Sequence, residues 1–131
     1  MNTRAALLFM TLTLAACGSD SPTGPQIRTE NFSFSLVDPD RCTCGNGIGQ
    51  YTIDVAAAGT LDATATWTPA DANLVVRLLD SSFNTIFATS TPTGTTARLS
   101  HNVTPGTYRM QVFLGSTGAR SASYQLTVSH P

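Results

Sequence analysis

Apolar and polar residues alternate with period two over most of the chain. Phe32, Phe34 and Leu36 are interleaved with Ser33 and Ser35, Tyr51, Ile53 and Val55 with Thr52 and Asp54, and Leu61, Ala63, Ala65 and Trp67 with Asp62, Thr64 and Thr66. The same beat returns at Leu74, Val76 and Leu78, at Ala97, Leu99 and Val103, at Tyr108, Met110, Val112 and Leu114, and at Tyr124, Leu126 and Val128, while Ile86 to Ala88 adds a short run. Successive side chains of a strand point to opposite faces, so this period predicts strands with one buried and one wet face. Val75 and Leu79 make one of these strands apolar on both faces. The intervals hold turn formers: Asp38-Pro39-Asp40, Gly45-Asn46-Gly47, Ala58-Gly59, Thr68-Pro69-Ala70-Asp71, Asp80-Ser81-Ser82, Pro92-Thr93-Gly94, Pro105-Gly106 and Gly115-Ser116-Thr117-Gly118. About eight short strands at regular spacing, with no helical period among them, predict an all-β domain over residues 27–131. The expected architecture is an antiparallel two-sheet β-sandwich.

The chain begins differently. Arg4 precedes the mostly apolar run Ala5 to Leu14, and small residues follow. This is the order of a secretory signal, and the run is too short for a comfortable membrane span. Leu14-Ala15-Ala16-Cys17 resembles the lipobox of bacterial lipoproteins. The resemblance implies a signal peptide over residues 1–16, cleavage before Cys17, diacylglycerol on the Cys17 thiol and an acylated new amine. Residues 17–26, small, polar and rich in Pro and Gly, then read as a tether. It is long enough to hold a domain up to about 30 Å from a membrane. Gly18 rather than Asp after the cysteine resembles an outer-membrane sorting signal. The expected location is the bacterial envelope, lipid-anchored at the outer membrane, facing periplasm or surface.

Composition narrows the partners. Charged residues are only 11% of the chain, lysine is absent, and seven arginines stand against eight acids. A basic nucleic-acid footprint is therefore not expected. Apolar residues at 41% suffice for a core and argue against bulk disorder.

The ordered elements resemble a known domain. Tyr51-Thr52-Ile53-Asp54-Val55, Ala58-Gly59-Thr60-Leu61, Ala65-Thr66-Trp67, Asn73 to Asp80, Thr104-Pro105-Gly106-Thr107-Tyr108 running to Val112, and Ser123 to Val128 are similar in kind and order to the bacterial pre-peptidase C-terminal domain. The resemblance spans about residues 31–129 and implies a jelly-roll-like sandwich without catalytic activity. It also implies a turn in which Gly106 takes positive φ. Relatives in clostridial collagenases bind collagen and calcium. Their calcium ligands lie in a Glu-rich segment before the sandwich, and Glu30 is the only glutamate here.

Candidate chemistry is sparse. Cys42-Thr43-Cys44 beside Gly45 and Gly47 reads as a small disulfide in a turn, with free or partner-linked thiols as the alternative. Two thiolates alone do not complete a metal site, and a redox Cys-x-x-Cys is absent. Asp38 and Asp40 are weak calcium candidates, since calcium takes six to eight oxygens and turn aspartates usually serve the backbone. His101 reads as lying on the polar side of its strand, and His130 sits at a chain end where order is poor. There is no Gly-x-Ser-x-Gly elbow, and the many Ser and Thr fit solvent-facing strand positions, so the small-hydrolase alternative is set aside. Trp67 reads as core and Phe113 as outward, beside Arg109 and Gln111, while Phe83 and Phe87 flank a turn. A binding site would need more than one exposed ring, that is, a patch.

The expectation is a non-catalytic, lipid-anchored envelope protein whose sandwich is a binding or structural module. The alternative is a carbohydrate- or collagen-binding module with calcium. No cofactor is expected. The expected partners are the membrane, through the lipid, and an envelope protein or polysaccharide.

Overall fold

The computed structural model describes residues 24–38 and 47–131. Within them lie nine strands: β1 (Arg28–Val37), β2 (Ile48–Val55), β3 (Gly59–Thr68), β4 (Leu74–Asp80), β5 (Ile86–Thr89), β6 (Thr91–Thr93), β7 (Thr96–Val103), β8 (Gly106–Leu114) and β9 (Ser121–His130). Eight correspond to the periodic runs of the sequence. The ninth, β6, is three residues long and falls where Pro92 signals a turn. Pro92 is tolerated there because β6 is an edge strand.

The strands form two antiparallel sheets, a five-stranded one ordered β1-β9-β3-β7-β6 and a four-stranded one ordered β2-β8-β4-β5. Their inner faces make one core. Leu36, Leu61, Ala63, Ala65, Trp67, Leu99, Leu126 and Val128 come from the larger sheet, and Ile53, Val55, Leu74, Val76, Leu78, Met110 and Val112 from the smaller. Each fully buried Leu or Ile contributes about 1.5–3 kcal/mol relative to exposure. The Trp67 indole N–H is satisfied by the Ala72 carbonyl at 2.9 Å, which fixes the Thr68–Pro69 turn against the core. The Thr68–Pro69 peptide is cis.

The chain passes from one sheet to the other at Ser90, between β5 and β6. Ser90 is buried; its N–H donates to the Val76 carbonyl at 2.8 Å and its hydroxyl accepts from the Val76 N–H at 2.9 Å. One residue thus replaces a ladder partner for β4 while the chain changes sheets, satisfying both the N–H and the carbonyl of Val76.

At the other side of the sandwich, an aromatic seam joins the edge strands β1 and β2. Phe32 stacks on Tyr51 with ring centroids 4.2 Å apart, and the Tyr51 and Tyr124 hydroxyls hydrogen-bond at 2.5 Å. Gly49 makes room for this pair, because a Cβ there would lie 1.9 Å from the Tyr124 oxygen. Burial, and then the bond to Tyr51, pushes the pKa of the Tyr124 hydroxyl well above the ordinary tyrosine value.

Two histidine expectations are corrected. His101 does not lie on the polar side: Ala97, Leu99, His101 and Val103 share the inward parity of β7. The imidazole is half-buried, stacked with Phe87 at 5.7 Å. Polarity suggested the wet face, but strand parity decides. His130 is not at a loose end. The β1–β9 ladder runs through it, and its side chain is fully buried with Nε2 3.1 Å from Glu30 Oε1. Gly106 has φ of +156°, inside the range that L side chains rarely adopt, as its turn requires.

Candidate binding face

The outward positions of the four-stranded sheet assemble across strands that are not neighbours in sequence. Register places Ile48, Phe113 and Val75 in one row, then Gln50, Gln111, Arg77 and Thr89, then Thr52, Arg109, Leu79 and Ile86. Adjacent rows are about 6.8 Å apart, two residues along a strand. Ile48 is 52% exposed and Ile86 51%. Leu79 points outward by parity yet is only 4% exposed, so its neighbours on that face cover it.

Two arginines organise the face. The Arg77 guanidinium lies 4.5 Å from the centroid of the Phe113 ring. Arg109 lies 5.3 Å from the ring of Phe83, donates to the Thr52 hydroxyl and reaches the Ser81 carbonyl at 3.4 Å. Phe83 sits at φ +62° in the turn after β4, held where the Asp80 carboxylate accepts the Asn84 and Thr85 N–H groups at 2.7 and 3.0 Å. Arg77 differs from Arg109 in one respect. Its Nε is buried without a hydrogen-bond partner, and the Arg77 side chain forms no hydrogen bond or ion pair with any described residue. A buried donor left unpaired costs about 1–3 kcal/mol. Among the described residues of these outward rows the acid is Asp54, one row beyond Thr52, where it accepts the Thr107 hydroxyl at 2.8 Å.

The opposite face, on the five-stranded sheet, is built mostly of hydroxyls and amides, with Val37, Asp62 and Arg98 among them. Thr29 bonds Ser129 at 3.1 Å, Ser35 bonds Ser123 at 2.9 Å, Thr127 donates to Asn31 at 2.8 Å and Thr60 to Asn102 at 3.2 Å. A shallow depression of about 560 Å³ lies on it, lined by Ser33, Phe34, Ser35, Thr66, Trp67, Thr68, Ser123, Tyr124 and Gln125. Across it the Ser35 and Ser123 hydroxyls pair.

No family model matches the sequence, and no curated protein matches it. Solved structures do. The pre-peptidase C-terminal domain of a Bacillus anthracis collagenase superposes with a TM-score of 0.62 at 22% identity, covering 76% of this chain and 88% of that one. The two share a fold. A periplasmic inhibitor of g-type lysozyme from Aeromonas hydrophila follows at 0.49, with 17% identity over 81% of this chain and 87% of its own. A carbohydrate-binding module of a Cellvibrio mixtus lichenase gives 0.45, with 8% identity over 77% of this chain and 87% of its own.

On this sandwich the residues singled out from sequence fall as follows. Cys17, Cys42, Cys44 and Asp40 lie outside the described residues. Asp38 does not stand open to a cation: its carboxylate is paired with the Arg120 guanidinium, and its N–H donates to the Arg120 carbonyl at 2.8 Å. Among the described residues no three His, Cys, Asp or Glu side chains gather where a metal ion could be held. Phe113 points outward, as its parity indicates, but half-buried beneath Arg77. The single exposed ring expected from sequence is thus part of the patch that a binding site requires. The signal that could have found it was present in the doubly apolar β4, whose Val75 and Leu79 occupy the outer face.

Proposed function

We propose that this chain is exported, lipidated at Cys17 and held at the bacterial envelope, where its sandwich serves as a non-catalytic binding module. The observation that carries the reading is the outer face of the four-stranded sheet, where Ile48, Ile86 and Phe83 stand exposed around two ring-stacked arginines. Exposed aliphatic side chains beside arginines are interface chemistry. The lipobox-like leader supports the anchor, and a tether from residue 17 to 26 leaves the sandwich free to turn this face to a partner. Cys42 and Cys44 form a small disulfide in this reading, as export to an oxidising compartment permits.

The test uses the full chain in cells. A clickable palmitate should label the wild type and not Cys17→Ser, which should leave the membrane fraction while keeping its β circular dichroism, because one acyl chain holds only marginally and lipoprotein acylation supplies more. A photo-cross-linker at Ile48 should form an adduct with an envelope component. Wild-type protein without lipid, or without any adduct from Ile48, contradicts the reading.

A further inference from the structure

We propose that the outer face of the four-stranded sheet docks a protein segment presenting a carboxylate beside aliphatic side chains, with Arg77 receiving the carboxylate. The proposal rests on the binding-module reading and narrows it to one partner chemistry. Arg109 is engaged by Thr52 and Ser81 and Arg120 by Asp38, whereas the side chains of Arg28, Arg77 and Arg98 meet no acceptor among the described residues. Of these three Arg77 is the one held over a ring, Phe113; its Nε is buried, so a carboxylate would meet the terminal guanidinium nitrogens. Stacking fixes the guanidinium plane, so little freedom is lost when a carboxylate bonds it. The acid of the described outward rows, Asp54, is two rows away and occupied by Thr107, so no described carboxylate of these rows stands beside Arg77.

The surroundings set the rest of the ligand. The row next to Arg77 holds Ile48, Phe113 and Val75, and its own row holds Gln50 and Gln111. A strand-like segment with an acid at one position and a Leu or Val two residues away spans these rows, which lie about 6.8 Å apart. A polysaccharide fits less well. Both aromatic faces it would stack on, Phe113 and Phe83, lie under guanidinium groups, and the freely exposed carbon is that of Ile48 and Ile86.

The test titrates the purified full chain in micelles with the acetylated peptide amide Leu-Ser-Glu-Ser-Leu-Ser-Glu, following backbone amide shifts. Shifts at Ile48, Gln111 and Phe113 are expected, with at least tenfold weaker binding of the peptide whose Glu are replaced by Gln. Arg77→Gln should erase that tenfold preference, and Arg98→Gln, on the opposite face, should leave it intact. Should Arg77→Gln fail to fold, Gln111→Glu carries the test, because an acid beside Arg77 should weaken the acidic peptide by a similar factor. Equal binding of the two peptides overturns the proposal, as does tighter binding of polygalacturonate at the same residues. If neither probe shifts this face while Ile48 still cross-links in cells, the carboxylate docking falls and the binding-module reading stands. Loss of the Ile48 adduct sinks that reading itself.

Discussion

On the five-stranded sheet the wet face carries Thr29, Asn31, Ser33 and Ser35 against Ser123, Gln125, Thr127 and Ser129, tied in pairs by hydrogen bonds of 2.8 to 3.1 Å where those bonds form. On the four-stranded sheet the equivalent positions carry Ile48, Gln50, Phe113, Gln111, Val75, Arg77 and Leu79. The backbone period is the same and the chemistry is not. Short hydroxyl side chains paired with one another present little unsatisfied capacity and little apolar area. Branched aliphatics and ring-stacked guanidiniums present more apolar area, with Ile48 and Ile86 half exposed. The difference teaches that the two outer faces of this sandwich offer a partner different chemistry.

The largest test of that contrast is truncation at matched outward positions. Leu79→Ala should lower unfolding free energy by about 2–5 kcal/mol, because a nearly fully buried leucine leaves a cavity. Thr64→Ala, outward on the five-stranded sheet, should change it by less than about 0.5 kcal/mol. Chemical denaturation of the purified chain reads both, and equal effects would erase the distinction. The seam that joins the sheets gives the next effect. Gly49→Ala should cost about 1–3 kcal/mol by driving a methyl into the Tyr124 hydroxyl. Adding Tyr124→Phe removes the atom that is struck, so the double variant should be less destabilised than the two single changes predict together. Additive losses would show that the close approach is not where the energy lies.

A smaller effect is read in alkali. The folded Tyr124 keeps its proton at pH values where the unfolded tyrosine, near pKa 10, gives it up. Above that pH the folded state therefore binds more protons than the unfolded one, and stability falls as pH rises, by at most about 1.4 kcal/mol per unit from this group. Tyr124→Phe should flatten that slope between pH 10 and 11. An unchanged slope would place the alkaline sensitivity elsewhere.

The inner faces were legible in the sequence because burial imposes period two on every strand, and Trp67, Met110 and Leu126 obey it. The outer binding face was legible only in part. Phe113 and the doubly apolar β4 mark it, but Ile48, Phe113 and Val75 meet only because the strand order is β2-β8-β4, which no local pattern encodes. The seat of Arg77 on Phe113 depends on a residue 36 positions later. Asp38 reads as a turn aspartate, whereas its partner Arg120 belongs to the loop before β9. His101 shows that parity along a strand outranks side-chain polarity, and His130 that a ladder can hold a chain to its last residues.

The central claim is that the two outer faces differ in purpose, and two glutamines allow a matched comparison. Gln111 lies outward on the four-stranded sheet and Gln125 outward on the five-stranded one. A photo-cross-linker placed at each, in the full chain in its native envelope, should form a discrete adduct from position 111 and none from position 125. Adducts of equal yield from both positions, or from position 125 alone, would contradict the account.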